Sequence, residues 1–507
     1  MTPGAAEPEG DSGAPRGKGR LLAGGLLGLA GWTLFSASLA AERVQWAPHA
    51  TRGWVARAVA ELAAALARAS AASGIGGEGG LLWPVAFGLS LVAVTAGWAL
   101  VARAAGTRAL SLRGVLALAV VFVAIANAAP GLLSSDVYAY IRLGRMAALF
   151  DRNPFLDAPT ALPDGYVDDR WFMAHLTSPY GPLWIGVAAA LAKLAELARL
   201  EFVESVQLYR WLATACHCLN AAMIHRIAGT LRPGSGVAAS AAYALCPLAI
   251  VEVCSGAHND VFVIALLLLG IAQQLRSRPW LASALFAAAS LIKLYALLAW
   301  GAHALLVART ARSRVDAAKR VLAIGLSGAA LAALAYLPFW EGPGTLAGFR
   351  MLLGLLFGLA PTNSLAEWIG TQALQGPWPP QLGLGIAGAL CAGAFLATVV
   401  VLTSATRDVP SFLRALHGGF FAWSAFGATW NQPWYALAAT AIAAISPPSR
   451  LRAATWLLSV TVLAIYLFHA LEVPGLYAQR GLVMGGLPLA YLGLGFLAGR
   501  VGRARSV

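Results

Sequence analysis

The sequence predicts an all-α, polytopic integral membrane protein, and three observations support this class. Of the 507 residues, 59% are hydrophobic and 11% are charged, and the mean hydropathy is +0.70. A soluble protein carries about 25% charged residues. Apolar runs of about 17–25 residues, long enough to cross a bilayer as helices, recur from Leu21 to the C-terminus. The chain also contains 54 glycines, which let helices approach closely in lipid.

The apolar runs predict about 14 transmembrane helices within one domain over residues 21–507. In chain order these spans are 21–40, 82–103, 112–133, 206–225, 236–253, 260–275, 281–294, 295–308, 321–339, 382–404, 411–429, 434–447, 453–471 and 482–499. Residues 1–20 are expected to form a disordered cytoplasmic tail, because the first fifteen are rich in Gly, Pro and Glu. Large extracytoplasmic loops are expected at 134–180 and 340–381.

The formal net charge of +14 is concentrated in short clusters between the spans. These clusters are 16–20, 103–113, 276–278, 309–320, 450–452 and 500–505. Cytoplasmic loops of membrane proteins collect Lys and Arg, so the charge indicates topology and contact with anionic lipids, not nucleic-acid binding. An even number of spans places both termini in the cytoplasm. A full crossing by residues 182–199 would invert every later loop. We therefore interpret 182–199 as a half-penetrating or interfacial helix and leave open whether it spans the membrane.

Residues 279–308 are predicted to form a tight hairpin. Basic clusters flank the segment on both sides, so it must cross the membrane an even number of times. Each arm of ~14 residues rises only ~21 Å at about 1.5 Å per residue, so the tip stops short of the outer surface. Lys293, near the tip, is then expected to line a cavity in the outer half of the membrane. The same topology places His258-Asn259-Asp260 outside.

The motifs exclude several kinds of chemistry. The five cysteines form no disulfide framework or zinc pattern. No P-loop and no dinucleotide-binding fingerprint is present, so use of ATP or of a nucleotide sugar is unsupported. A donor used outside would have to be activated inside and carried across on lipid. The sequence requires no cofactor and predicts no metal ligand, because Asp168-Asp169 lacks an evident third ligand. A requirement for a divalent metal is left open.

Asp136 is the first candidate for chemistry. It follows an apolar run and stands in Ser134-Ser135-Asp136-Val137-Tyr138-Ala139-Tyr140, where a helix is expected to meet water. Ionisable residues in such places are functional candidates by default. The alternative is a helix N-cap, which is favourable by about 0.5–2 kcal/mol. Other polar groups on the predicted outer side are His258-Asn259-Asp260, Lys293 and Asn431-Gln432-Pro433-Trp434-Tyr435.

Five motifs occur between residues 115 and 435, and their order along the chain is informative. They are Asp136-x-Tyr138 with Arg142-x-x-Arg145 and Asn153-Pro154-Phe155, then Ser178-Pro179-Tyr180-Gly181-Pro182-Leu183, His258-Asn259-Asp260, Ile292-Lys293-Leu294, and Gln432-Pro433-Trp434-Tyr435. This order resembles the polyprenol-phosphomannose-dependent α-mannosyltransferases of the GT-C superfamily, bacterial α-1,6-mannosyltransferases among them. The two serines before Asp136 and the Ala-rich ends depart from the pattern. The departures leave the sugar and the acceptor open.

The resemblance implies a GT-C-type helical bundle in the bacterial inner membrane, with its active site facing outside. It implies inverting transfer of a hexose, expected to be mannose, from a polyprenyl-phosphate carrier to an extracytoplasmic glycan or lipid. Asp136 would be the general base, and Lys293 would bind the donor phosphate, with Arg142 or Arg145 second. Residues expected to bind sugar or acceptor are Tyr138, Tyr140, Tyr180, His258, Asn259, Asp260, Gln432 and Trp434.

Helical geometry limits this set. On an unbroken helix from Asp136, Tyr140 lies ~40° away, whereas Arg142 and Arg145 lie ~240° and ~180° away at about 100° per residue. The arginines therefore cannot converge with Asp136 on one substrate unless the helix breaks. Simpler readings remain for the other candidates. Asp260 suits a helix cap and His258 a polar interfacial residue, Lys293 suits a snorkelling lysine, and Trp434 an aromatic belt.

Two other classes of function are compatible with the composition. A transporter or flippase of a lipid-linked sugar would show internal repeats with spans broken by Gly or Pro in matching positions. The sequence shows no such symmetry, and its large loops are asymmetric. A structural membrane scaffold would not explain why polar groups collect on one face.

Overall fold

The computed structural model is almost entirely helical. It describes residues 14–41, 61, 63–65, 68, 82–107, 109–128, 133–162, 174–348, 357–358, 361–368, 380–428, 430–471 and 480–504. The first helices are α1 (Ala14–Ala41), α2 (Leu82–Ala105), α3 (Leu112–Ala126), α4 (Asp136–Leu149), α5 (Pro182–Leu197) and α6 (Phe202–Leu231). They are followed by α7 (Gly236–Ala244), α8 (Asp260–Leu275), α9 (Pro279–Ser290), α10 (Leu297–Arg309), α11 (Arg314–Tyr336) and α12 (Pro361–Trp368). The last are α13 (Pro380–Ser404), α14 (Val409–Ala422), α15 (Ala436–Ile445), α16 (Arg450–Thr461), α17 (Ala464–Leu471) and α18 (Leu487–Ala504).

Several of these helices have the length and composition of membrane spans. Among the described residues, 4 pass both tests: Gly17–Leu39, Pro84–Ala105, Arg314–Phe339 and Arg450–Phe468. Seven further apolar helices are shorter, at 10–17 residues. Because about 20 residues are needed to cross the hydrocarbon core, the short ones could reach across only in combination or through broken spans. The protein is therefore suited to a membrane, while the number of about 14 spans stays a prediction.

Two predicted boundaries need correction. Helix α1 begins at Ala14, so the tail predicted to be disordered over 1–20 is helical in its last part. Pro15 is tolerated there because a proline in the first helical turn loses no hydrogen bond, and residues 16–20 include good helix formers. The predicted span 236–253 is broken. Helix α7 and the π-helical segment Ala249–Ser255 are bent by 65° relative to each other. Pro247 lies between them, lacks a backbone N–H and cannot continue a straight helix.

The two segments predicted as outer loops, 134–180 and 340–381, contain ordered elements, among them the helices α4 and α12. In the second loop, the strand Phe357–Gly358 pairs in parallel with Trp430–Asn431. This two-residue ladder is the one β-sheet in the part of the chain that the structure describes. In the first loop, the Asn153 amide donates to the Phe339 carbonyl at 2.7 Å and to Glu341 Oε1 at 2.9 Å. The first loop is thereby fixed to the end of α11.

The predicted hairpin over 279–308 is present as α9 and α10, which pack against each other. Its tip contains Lys293 in an extended conformation, followed by the 3-10 turn Leu294–Ala296. The tip is attached to the segment before α5. The Gly181 N–H donates to the Ile292 carbonyl at 3.0 Å, and the Leu183 N–H donates to the Leu291 carbonyl at 3.1 Å. A Cβ at residue 181 would lie 2.0 Å from the Leu291 oxygen, so this approach requires glycine.

Helix α4 packs closely along α5. Residue 144 faces the α5 backbone, and a Cβ placed there would lie 2.3 Å from the Ala188 carbonyl oxygen. The small residues on both helices thus bring their axes together, as in closely packed membrane helices. The side of α5 at Gly186 is open, with nothing within 4 Å of an added Cβ. One face of α5 therefore packs on α4 and the opposite face does not.

This asymmetry predicts opposite effects of two Gly→Ala substitutions. Gly144→Ala should destabilise the protein by about 1–3 kcal/mol, because the methyl group overpacks the α4–α5 contact. Gly186→Ala, the matched control, should be neutral or stabilising by up to about 1 kcal/mol, because alanine favours the helix. Thermal unfolding in detergent compares the two. Equal melting temperatures for both variants would contradict the close packing of α4 on α5.

Candidate active site

Asp136 is the first residue of α4. The N-cap position belongs to Ser135, and the Ser134 hydroxyl accepts from the Asp136 N–H at 3.3 Å. The interpretation of Asp136 as the N-cap is therefore wrong. Its carboxylate instead accepts a hydrogen bond from the Tyr180 hydroxyl at 3.1 Å. The Asp136 side chain is 19% exposed, so a molecule that is not part of the protein can reach its carboxylate.

His258 lies deeper in the protein than Asp136 and is completely buried. Its Nδ1 is 3.6 Å from Asp136 Oδ2, and its Nε2 is 3.3 Å from Glu252 Oε2. The imidazole stacks on the Trp434 ring, with centroids 3.9 Å apart and planes inclined by 21°. His258 is thus neither an interfacial polar residue nor an exposed sugar contact. It is held by Trp434 between two carboxyl groups.

Glu252 and Tyr466 complete the cluster, and the sequence analysis did not find them. Glu252 is 1% exposed and lies in the π-helical segment Ala249–Ser255. The Tyr466 hydroxyl donates to Glu252 Oε1 at 2.8 Å. The available signal was an acidic residue inside an apolar run close to Pro247, because intramembrane carboxylates mark functional sites. It was missed because 236–253 was treated as one uniform span.

Asp260 and Lys293 form a buried ion pair. Lys293 Nζ lies 2.6 Å from Asp260 Oδ2, and the Tyr295 hydroxyl donates to Asp260 Oδ1 at 2.8 Å. Asp260 opens α8, but the N-cap position is Asn259, so the carboxylate serves the lysine and not the helix end. Lys293 also lies 5.9 Å from the Tyr180 ring centroid, which places its charge close to Asp136. It is therefore not a snorkelling lysine.

The electrostatic environment changes the acidity of Asp136, which lies outside the candidate spans. Burial raises the pKa of its carboxyl group from 3.8 to about 6. The positive charge of Lys293 and the hydrogen bond from Tyr180 oppose this increase, and the negative charge of Asp260 adds to it. A pKa near the working pH suits a general base, because the group is ionised yet still basic.

The tyrosines of α4 divide between the two sides of the helix. Tyr140 shares the side of Asp136, as predicted, and its ring packs edge-on against Tyr180 with centroids 5.1 Å apart. Its hydroxyl donates to Asn259 Oδ1 at 3.2 Å. Both Tyr140 and Asn259 are fully buried. Tyr138 instead packs on Phe202, with centroids 5.3 Å apart. Tyr140 and Asn259 therefore belong to the buried part of the site, where they are hydrogen-bonded to each other.

Arg142 and Arg145 follow on the same helix. Helix α4 is continuous from Asp136 to Leu149, so the break that would bring the arginines beside Asp136 does not occur. Arg142 is 1% exposed, whereas Arg145 is partly exposed and lies near enough to Tyr209 to act on it electrostatically. The two arginines project from sides of the helix other than that of Asp136.

Gln432 and Trp434 lie at the start of the turn that leads into α15. Gln432 precedes the 3-10 turn Pro433–Tyr435 and is partly exposed. The neighbouring Asn431 side chain donates to the Ser424 carbonyl at 2.6 Å, which fixes this turn. Trp434 is 8% exposed and faces His258. Of the two, Gln432 is the more exposed side chain.

The site contains no cluster of three or more His, Cys, Asp or Glu side chains with metal-binding geometry among the residues that the structure describes. Asp168 and Asp169 lie outside those residues. The chemistry available is that of a partly exposed carboxylate supported by tyrosine and histidine, with a paired lysine at the side.

Fold and site together define a class: a helical, membrane-type protein with a carboxylate-centred site where several helices begin. The comparison with protein families gives the assignment. The model of the family described as alpha-(1->6)-mannopyranosyltransferase, N-terminal domain, matches residues 25–309, which is more than half of the chain. The chain belongs to this family, and the resemblance seen in the sequence motifs is confirmed. No curated protein matches the chain. The matched region includes Asp136, Glu252, His258 and Lys293, whereas Trp434 and Tyr466 lie beyond it.

The Lys293–Asp260 pair leads to a prediction about stability. Lys293→Met should destabilise the protein by about 3–5 kcal/mol, because it leaves the Asp260 carboxylate buried without its cation. Adding Asp260→Asn should recover much of that loss, since neither charge then remains. Denaturation midpoints in detergent measure both variants, with the exposed Lys319→Met as control. A double variant no more stable than Lys293→Met alone would argue against a dominant role for the ion pair.

Proposed function

We propose that this protein is an inverting mannosyltransferase that uses a polyprenyl-phosphate mannose donor. It transfers the sugar to a hydroxyl group of a glycan or glycolipid, and the family description favours an α-1,6 linkage. The reaction takes place on the outer side of the bacterial inner membrane, with both termini in the cytoplasm. The observation that carries the proposal is the Asp136 carboxylate, which is reachable from outside within an otherwise buried polar cluster.

Asp136 is the general base of the proposed reaction. The acceptor oxygen attacks the anomeric carbon and gives its proton to the Asp136 carboxylate. The bond between that carbon and the phosphate oxygen breaks, and its electron pair leaves with the polyprenyl phosphate. A positioned base contributes about 10²–10⁴-fold to the rate. Tyr180 supports this role because its hydrogen bond orients the carboxylate.

A single displacement inverts the anomeric centre and needs one free carboxylate. Retaining enzymes instead use two carboxyl groups about 5–5.5 Å apart, one of them as nucleophile. Here the neighbouring Asp260 is occupied by Lys293 and Tyr295. Glu252 is buried behind His258. Asp136 is thus the carboxylate that fits the base role, and neither Asp260 nor Glu252 fits the role of nucleophile.

The leaving phosphate needs positive charge and hydrogen-bond donors. Lys293 is the first candidate, because an ammonium group has three donors and the contact with Asp260 uses one of them. Arg142 and Arg145 do not share this role, because they project from sides of the continuous helix α4 other than that of Asp136. Gln432 and Tyr180 are the proposed sugar contacts, because a partly exposed amide and an aromatic face suit a hexose.

The proposal is tested by comparing the wild type with Asp136→Asn in membranes supplied with radiolabelled polyprenyl-phosphate mannose. The substitution keeps the shape of the side chain and its hydrogen bond from Tyr180, but removes the base. Transfer should fall by about 10²–10⁴-fold at equal membrane abundance.

Asp151→Asn is the matched control, because Asp151 is an exposed carboxylate just beyond α4. Its φ of 49° is a conformation that asparagine adopts readily. The control should transfer mannose like the wild type. Equal transfer by Asp136→Asn and the wild type would remove Asp136 from the mechanism, and absence of transfer by the wild type would reject this donor.

The pH dependence gives a separate prediction. The pKa of Asp136 is raised to about 6, so the base is ionised above this pH and protonated below it. The rate of transfer should therefore be level above about pH 7 and fall about tenfold per pH unit below about pH 6. A profile of initial rate against pH, taken over a range in which the protein stays folded, tests this. A rate that stays constant down to pH 4 would show that the base has an ordinary carboxylate pKa.

A further inference from the structure

His258 connects two carboxyl groups of different exposure. Its Nδ1 faces the partly exposed Asp136, and its Nε2 faces the buried Glu252. The two approaches, 3.6 and 3.3 Å, are somewhat longer than normal hydrogen bonds. Such contacts often tighten when a substrate binds. Within the described part of the chain, neither ring nitrogen of His258 has a hydrogen-bond partner, and the carboxyl oxygens of Asp136 and Glu252 lie close enough to become those partners after a small shift.

The number of protons in this row is limited. A neutral imidazole carries one N–H, so it can donate to only one of the two carboxyl groups. When Nδ1–H points to Asp136, the unprotonated Nε2 must accept a proton from Glu252. When Nε2–H points to Glu252, the unprotonated Nδ1 faces Asp136 and favours its protonated form. The ring therefore couples the two carboxyl groups: a proton on one of them favours ionisation of the other.

We propose that Glu252 is a positioning residue that holds a proton and thereby keeps Asp136 ionised. Protonated Glu252 donates to Nε2 of His258, which fixes the Nδ1–H tautomer and directs this donor at the Asp136 carboxylate. The inference rests on the proposed role of Asp136 as base. It gives His258 a task that its complete burial and its stacking on Trp434 allow, whereas direct contact with a sugar does not fit that burial.

Tyr466 influences how firmly Glu252 holds its proton. Its hydroxyl donates to Glu252 Oε1 at 2.8 Å. A hydrogen bond to an ionised carboxylate is stronger than one to a neutral carboxylic acid, so Tyr466 favours ionised Glu252. Removing this donor should leave the proton more firmly on Glu252. Asp136 would then become a stronger acid, because the Nδ1–H of His258 would point to it a larger share of the time.

Other charged groups around Asp136 do not replace this effect. Tyr180 donates to the carboxylate from the segment before α5, and Tyr140 lies on the same side of α4. Lys293 and Asp260 approach from the hairpin tip and from α8, but their charges compensate each other at 2.6 Å. Tyr435, in the turn before α15, lies close enough to Asp136 for an electrostatic interaction. Among these neighbours of Asp136, the His258–Glu252 pair is the one in which a proton can lie on either partner.

The test is the pH profile of mannose transfer by Glu252→Gln. The glutamine amide resembles a permanently protonated Glu252, since its N–H₂ can donate to His258 Nε2 and its oxygen can accept from Tyr466. Because Glu252 already holds a proton in the proposal, Glu252→Gln should keep the wild-type rate and the wild-type position of the acidic limb. Glu252→Ala offers no donor to His258, so its acidic limb should move to higher pH by about one unit, and its rate should fall at least about tenfold.

Tyr466→Phe is a second variant that does not depend on the folding of Glu252→Gln. Its acidic limb should stay at the wild-type pH or move to lower pH, because the proton then stays on Glu252. A limb at higher pH in properly inserted Glu252→Gln or Tyr466→Phe, or a wild-type limb in Glu252→Ala, would overturn the inference. Asp136→Asn, measured in parallel, separates the two ideas. If it is inactive while the limb of Glu252→Ala does not move, the base role stands and the role of Glu252 falls. If it is active, both fall.

Discussion

The site depends on one constraint: three carboxyl groups must share a buried space without repelling one another. Asp136, Glu252 and Asp260 approach from α4, the π-helical segment and α8. Taking such charges out of water costs several kcal/mol each unless they are paired or protonated. Lys293 neutralises Asp260, and in our proposal a proton neutralises Glu252. Only Asp136, whose side chain is partly exposed, is then left as a negative charge without a neutralising partner.

The backbone arrangement explains how Lys293 comes to this position. The hairpin tip is attached by two backbone hydrogen bonds to the segment around Gly181, and Tyr180 immediately precedes that glycine. The hydroxyl of Tyr180 bonds to Asp136, and its ring faces Lys293. One short contact between two chain segments therefore sets both the hydrogen bond from Tyr180 to Asp136 and the distance of Lys293 from Tyr180. A side chain at residue 181 would separate the segments and change both at once.

Sequence patterns could predict the helical class, the hairpin and the family, because these follow from hydropathy, from charge on loops and from the order of motifs. Patterns could also place Tyr140 beside Asp136, since helical periodicity is local. They could not connect Glu252 with Tyr466, because the two residues are far apart in sequence and meet only in the folded chain. The pairing of Lys293 with Asp260 was hidden for the same reason. Local periodicity contains no information on which ends of different helices meet.

The bend near Pro247 has a chemical consequence. In a straight helix, backbone hydrogen bonds are satisfied internally and side chains face lipid or neighbouring helices. The π-helical segment after the bend turns Glu252 towards His258, and α8 begins soon afterwards at Asp260. Breaks of this kind are tolerated at membrane depth where protein surrounds them, and π-helical turns are frequent at functional sites. The same break that interrupts an apolar span thus supplies the polar groups behind Asp136. In the proposed reaction, the donor therefore meets Asp136 at the end of α4, with the buried polar groups behind it.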